Sequence, residues 1–142
     1  KIMQYQGRLS TADLSGKVGL SPSPCARRLK RLEEEGYIES YQANLNKEKV
    51  GIGLTFFVEI RLDNHQVSSI EQFERAITDI EEAINVSIVS GSYDYLVEVV
   101  TKDLHTFEQF SRKLNRLPSV KDIHTHLAVR QVKGNGALPV YF

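Results

Sequence analysis

The chain has 142 residues, 41% hydrophobic and 25% charged, with 18 Lys/Arg balanced by 18 Asp/Glu and a single cysteine. That length can bury a real core in one domain or two small ones; a lone Cys25 excludes an internal disulfide and fits a reducing, cytoplasmic setting; and with no visible signal peptide and no apolar run near the roughly 20 residues of a membrane span, a membrane partner is not expected. The zero net charge hides a split: residues 1–32 carry seven bases and one acid, and the remainder carries a matching excess of acids, the pattern of a nucleic-acid-facing head on an acidic body.

Residues 1–7 read as the end of a helix whose beginning lies outside the sequence. Residues 10–20 hold one short helix, with Ser10 or Thr11 as cap, Asp13 favouring its positive end, and Ala12 or Leu14 with Val18 turned inward. Gly19 makes the turn and Leu20 plugs the angle to the next helix. That helix, residues 21–36, is marked at both ends. Ser21 is placed to cap it with its hydroxyl, Pro22 and Pro24 fall in the first turn where no N–H is needed, and Gly36 stands where it stops. Cys25, Leu29 and Leu32 repeat on one apolar face, and Arg27, Arg28, Lys30 and Arg31 point elsewhere. Two short helices on a tight Gly turn, the second cationic, form the helix-turn-helix pattern, with double-stranded DNA as the leading partner.

The N-terminal residues of such a second helix meet base edges. Ser21, Ser23, Pro24, Arg27, Arg28, Lys30 and Arg31 are therefore the candidate DNA-binding residues, Arg27 and Arg31 sharing a stripe at i, i+4. Lys30 and Lys17 suit phosphate contacts, and Glu33–Glu35 reads as a solvated helix end.

Beyond Gly36 the alternating run Tyr37–Ala43 reads as a strand, the wing of the head. Domain boundaries are placed at 1–43 for the head, 44–53 for a polar linker and 54–142 for the body. In the body, Leu54–Leu62 is a strand with Phe56, Val58, Ile60 and Leu62 on one face and Phe57, Glu59 and Arg61 on the other. Residues 67–80 turn helical, with Ile70, Phe73, Ile77 and Ile80 in register; 84–90 and 94–101 are strands joined at Gly91-Ser92-Tyr93. Asp103 caps a helix carrying Leu104, Phe107, Phe110, Leu114 and Leu117, and residues 120–132 form a last strand. The order βαββαβ is that of a ferredoxin-like α+β sandwich, with helices on one sheet face and the other left for a second subunit, Phe56 and Phe57 included. The tail, with Pro139, reads as a piece at a sheet edge.

Val18–Cys25 through Arg31–Ile38, followed by Val89-Ser90-Gly91-Ser92-Tyr93-Asp94-Tyr95 and the closing Ala137-Leu138-Pro139, resemble the Lrp/AsnC family, the leucine-responsive or feast/famine transcription regulators. The second stretch matches that family's Gly-x-x-Asp-Tyr signature. The resemblance implies a one-component regulator that dimerises through its βαββαβ domain, often builds octamers, and binds a small molecule, usually an amino acid, near that loop. Carried over, the effector-binding set is Ser90, Gly91, Ser92, Tyr93, Asp94 and Tyr95. Independently of the family, Gly91 lets a backbone approach closely and Asp94 can receive an ammonium, while a bare hairpin turn suits the same residues. His124 and His126 share a strand face and could ligate a metal with His65 or His105, but spacing fixes no Cys or carboxylate partner. No metal, cofactor or catalytic residue is assigned. Haem-pathway (siroheme-type) decarboxylases resemble the same architecture and give an enzyme alternative, acting through His124 or His126 and Arg130; a stand-alone effector-binding module is a third.

Overall fold

The computed structural model describes residues 1–141. Its elements are α1 (Ile2–Tyr5), α2 (Thr11–Val18), α3 (Pro22–Glu34), β1 (Leu54–Leu62), α4 (Val67–Thr78), β2 (Ala83–Ile88), β3 (Tyr95–Thr101), α5 (Leu104–Asn115) and β4 (Val120–Leu127). No described helix is long and apolar enough to cross a membrane. The chain divides into two compact units, residues 45–131 and a discontinuous unit of 1–44 with 132–142.

The continuous unit is the βαββαβ sandwich. Its four strands run in the order β2-β3-β1-β4, all neighbours antiparallel. Period-2 alternation decides what each strand buries. Phe56, Val58, Ile60 and Leu62 of β1 and Tyr95, Val97 and Val99 of β3 face the helices and join Phe73, Ile77, Phe110 and Leu114 in one core. Ile70, Ile80, Phe107 and Leu117 pack at its margin, so both helical stripes read from the sequence are the buried ones, except that Leu104, in the first turn of α5, is exposed. Asp103 does cap α5, accepting from the Thr106 N–H at 2.8 Å. Phe56 departs from expectation. It stacks on Phe107 with centroids 3.7 Å apart, so only Phe57 of the pair is on the open sheet face.

The smaller unit is a helical head. Ser10 caps α2, its hydroxyl accepting from the Asp13 N–H at 3.1 Å. Gly19 takes a left-handed φ of 66° and ends α2, letting the chain turn into α3. The inner side of α2 is Leu14 and Ser15; Ala12 and Val18 are exposed. Ser15 is tolerated inside because its hydroxyl donates to the Ala12 carbonyl at 2.7 Å. On α3 only Cys25 is buried, with Leu29 half-buried and Leu32 exposed.

Several segments differ from the sequence expectations. Residues 37–43 form no strand. A strand needs a ladder partner, and no other described residue of this unit is in one; Tyr41 instead donates its hydroxyl to Glu33 at 2.7 Å. Residues 45–53 are not a free linker but belong to the sandwich, where the Lys47 ammonium pairs with Glu98 at 3.3 Å and the Gly53 N–H donates to the Thr101 carbonyl at 3.0 Å. The tail lies at no sheet edge. It folds with the head, where the Gln4 side-chain amide donates to the Leu138 carbonyl (3.1 Å) and accepts from the Leu138 N–H (2.6 Å). β4 accordingly stops at Leu127, short of the expected residue 132.

Candidate functional site

Helix α3 begins with prolines at its first and third positions, which sets the chemistry of its positive end. Ser21 is the N-cap by backbone position, with extended φ and ψ, but its side chain makes no cap bond. A capping hydroxyl reaches the N–H of the second or third helical residue. The third is Pro24, which has none, and the first hydrogen bond of the helix runs from the Cys25 N–H to the Ser21 carbonyl at 3.1 Å. The Ser21 and Ser23 hydroxyls and the Ser23 N–H thus stay directed to whatever meets this end of the helix.

All four cations of α3 are exposed, but they are not equivalent. Lys30 pairs with Glu34 at 3.5 Å and Arg31 with Glu35 at 2.6 Å, each at i, i+4. Arg27 and Arg28 have no ion pair among the described residues. The Glu33–Glu35 run is therefore more than a solvated end: it offsets the charge of the last turn and accepts from Tyr41. Partial burial, reinforced by the Glu33 carboxylate, pushes the Tyr41 hydroxyl up to about 12, so it stays a proton donor at neutral pH. The uncompensated positive charge lies in the N-terminal half of α3, with Pro24 and Ser23. Surface ion pairs of the Lys30 and Arg31 kind are worth little.

In the sandwich, the segment between β2 and β3 is a tight loop closed by the Val89 N–H on the Asp94 carbonyl at 3.0 Å. Ser90, Gly91 and Ser92 are exposed at its tip, and Tyr93 and Asp94 are half-buried. Gly91 has φ of 122°, which a residue with a Cβ rarely adopts, while the space beside it is open. The constraint on Gly91 here is conformational, not crowding.

Asp94 is the node. Its Oδ2 accepts from the Leu62 N–H at 2.8 Å and its Oδ1 from His65 Nε2 at 3.0 Å, while its own N–H donates to the Ile60 carbonyl at 2.9 Å. Burial opposes its charge, but the Leu62 N–H, His65 and the Arg61 guanidinium outweigh it and hold the carboxyl below its ordinary range. Both oxygens are thus already engaged in tying the loop to the end of β1. Arg61 donates to the Ser92 carbonyl at 2.9 Å and lies 5.2 Å from the Tyr93 ring centre. Tyr95, by contrast, is in the core. It is 3% exposed, leans on Phe73 and donates to Glu74 at 2.8 Å. Burial and the Glu74 carboxylate push its hydroxyl well above the ordinary tyrosine range. Of the six residues Ser90–Tyr95, the first five are in the loop and Tyr95 supports it from the core.

Because the Asp94 carboxyl is held low in the folded chain, it contributes stability above the ordinary carboxylate range and loses it as pH falls through the depressed folded value. Asp94→Ala should cost about 1–3 kcal/mol at neutral pH by orphaning the Leu62 N–H. The gap from wild type should narrow below about pH 4. Thermal midpoints across that range check this; a pH-independent gap would show that the charge plays no part.

Two features were not anticipated. A pocket of about 280 Å³ is lined by Lys47, Thr55, Phe57, Glu98 and Arg130 among others. It offers charges of both signs beside an aromatic ring, the complement of a zwitterion, and its only sequence signal was the polar run taken as a linker. The histidines of β4 also find a different partner. His65 goes to Asp94 and His105 to Gln109, while His126 pairs with Glu59 at 3.0 Å.

Comparison with known proteins places these features. The Lrp/AsnC ligand binding domain profile matches residues 55–138, and a winged helix-turn-helix DNA-binding profile matches residues 1–39. The chain is 37% identical over 137 residues to the proline dehydrogenase transcriptional activator of Rhizobium radiobacter, covering 96% of this chain and 88% of that one. It is 37% identical over 139 residues to the leucine-responsive regulatory protein of Escherichia coli K12, covering 97% and 85%. Among solved structures, a transcriptional regulator of Neisseria meningitidis in an L-Met complex superposes with a TM-score of 0.93 at 32% identity, over 97% of this chain and 90% of that one. An AsnC family transcriptional regulator of Agrobacterium tumefaciens gives 0.91 at 34%, with the same coverage. These relatives are regulators and not enzymes, which removes the decarboxylase alternative. The cationic α3 set against α2 and the ligand-domain loop that follows belong together because the chain is a DNA-binding transcription regulator of the Lrp/AsnC family.

Proposed function

We propose that this regulator reads a DNA site with the N-terminal half of α3 and that an amino acid bound to its sandwich changes that reading. The observation that carries the first part is the charge pattern of α3: Arg27 and Arg28 are uncompensated, whereas Lys30 and Arg31 are held by Glu34 and Glu35. Arg27, Arg28, Ser21, Ser23 and Pro24 meet the groove, and Lys30, Arg31 and Lys17 serve phosphates. The protein works in the cytoplasm as a homodimer or a larger even assembly. Phe57 and Leu96, exposed on the open sheet face, meet a second copy, and a two-fold pair matches a palindromic site.

The effector reading rests on the exposed Ser90–Ser92 rim beside half-buried Tyr93 and Asp94, and on relatives solved or named with amino acids. A ligand shifts an assembly only by its differential affinity, typically about 1–3 kcal/mol of coupling. The charge-paired pocket around Glu98 is the second place where a zwitterion fits.

One set of binding curves tests the whole reading. The protein is titrated onto a duplex selected from random sequence and onto an unrelated duplex, with and without each amino acid that raises its melting temperature. Arg27→Ala should lose about 1–3 kcal/mol on the selected duplex only, and Lys30→Ala should weaken both alike. Affinity that ignores salt overturns the α3 reading. Asp94→Ala should remove the amino-acid response and spare effector-free binding. A response that survives it but is lost in Glu98→Gln moves the effector to the pocket. Sedimentation of a monomer at micromolar concentration refutes the dimer.

A further inference from the structure

We propose that Glu59, His124 and His126 form a binding site for a divalent transition-metal ion of the zinc type on the open face of the sheet. The site follows from strand register. Glu59 of β1 stands directly opposite His124 of β4, and alternation returns His126 to the same face two residues on. One carboxylate oxygen and one ring nitrogen from each histidine lie within 4.8 Å of one another. Ligand atoms around a tetrahedral zinc, with bonds of about 2.1 Å, are about 3.4 Å apart, so small side-chain rotations close the set. No backbone movement is needed.

The donor chemistry selects the ion. Two imidazoles and one carboxylate suit zinc, cobalt, nickel or copper, whereas calcium and magnesium take oxygen ligands. Three ligands leave one position of a tetrahedral ion for water or a small anion. The surroundings hold the ligands ready. The two rings stack with centroids 4.7 Å apart and planes within 15°, and His126 Nε2 already donates to Glu59 Oε2 at 3.0 Å. Tyr93 places its hydroxyl 3.4 Å from His124 Nδ1 and is itself faced by Arg61. Outer partners of this kind fix ligand orientation. Through Tyr93 the ion site borders the loop around Asp94, yet it shares no residue with the α3 surface and does not rest on the effector reading. The same face is proposed above to meet a second copy, so binding is measured on the protein in whatever assembly it adopts.

The test is calorimetric titration of zinc into chelator-stripped full chain, paired with cobalt(II) absorption. One zinc per chain is expected, along with cobalt d–d bands of a four-coordinate nitrogen/oxygen site. His124→Ala and His126→Ala should each weaken zinc at least tenfold and bleach the cobalt bands, and His105→Ala, on α5, should change neither. Glu59→Gln preserves size and hydrogen bonding at a half-buried position, so it decides the matter if either histidine variant alters the circular dichroism; it too should weaken zinc about tenfold. Zinc binding by the wild type no tighter than by His126→Ala, or equal binding by wild type and Glu59→Gln, overturns the proposal.

Discussion

Phe56→Ala should destabilise the sandwich by about 3–5 kcal/mol, whereas Phe57→Ala, one residue along the same strand, should cost the isolated chain about 1 kcal/mol or less. Phe56 is 4% exposed and its ring lies flat on Phe107, which in turn contacts Phe110; removing it opens a cavity among groups that β1, β3 and both helices hold in place. Such a site collapses poorly, and the cost of a cavity rises with the volume left behind. Phe57 is 38% exposed on the opposite face, so truncation gives up little area within the chain. Its effect should appear in self-association, as weaker dimerisation at unchanged melting temperature under dilute conditions. Chemical denaturation and sedimentation of the two variants separate these outcomes. Equal stability losses would mean that the two sheet faces are equally covered within one chain.

Gly53→Val should cost about 3 kcal/mol. A Cβ built on Gly53 falls 2.4 Å from the Lys102 carbonyl oxygen, a backbone atom that cannot swing aside as a side-chain tip can. The Gly53 N–H is bonded to the neighbouring Thr101 carbonyl, so relief requires breaking that bond or displacing the first residue pair of the β1–β3 ladder, Leu54 with Thr101. Overpacking of this kind costs about 1–3 kcal/mol and a lost backbone hydrogen bond adds roughly one more. Gly16→Ala gives the opposite sign. Gly16 is in the middle of α2 with nothing within 4 Å of the added methyl, and exchanging a helical Gly for Ala gains about 0.5–1 kcal/mol. Urea midpoints with unchanged slope report both changes; a neutral Gly53→Val would show that the backbone around Lys102 gives way without cost.

The elements that could be read from the sequence are those whose burial is local and periodic. β1 falls on Leu54–Leu62 as read, and the stripes Phe73–Ile77 and Phe110–Leu114 are buried because a helix facing a sheet obeys its own period. The turn at Gly19 and the cap at Asp103 were legible for the same reason: each depends on residues within one turn. What failed depends on partners distant in the chain. The alternation of 37–43 has no strand to pair with, and whether a polar run such as 45–53 is a linker depends on Glu98 and Thr101 some fifty residues away. At the proposed sites, α3 is read from spacing and charge, and the loop from its resemblance to the family signature. The carboxylate that joins His124 and His126 is not, because Glu59 meets them only through the β1–β4 register. The same limit hid the role of Asp94, whose bonds to Leu62 and His65 depend on how the loop meets the end of β1.

The Gln4–Leu138 pair has a consequence for how the protein is made. In chain order, Gln4 precedes the backbone that it grips by 134 residues. At about 5–20 residues per second, the ribosome delivers Leu138 no sooner than roughly seven seconds after Gln4. The β-sandwich is complete in sequence before that, so the part that emerges first is the last that can be finished. The Gln4 side chain has its Leu138 partners only when the tail is present. A chain ending before Val132 should therefore be cut by protease in the head faster than the full chain, while the sandwich, residues 45–131, resists equally in both.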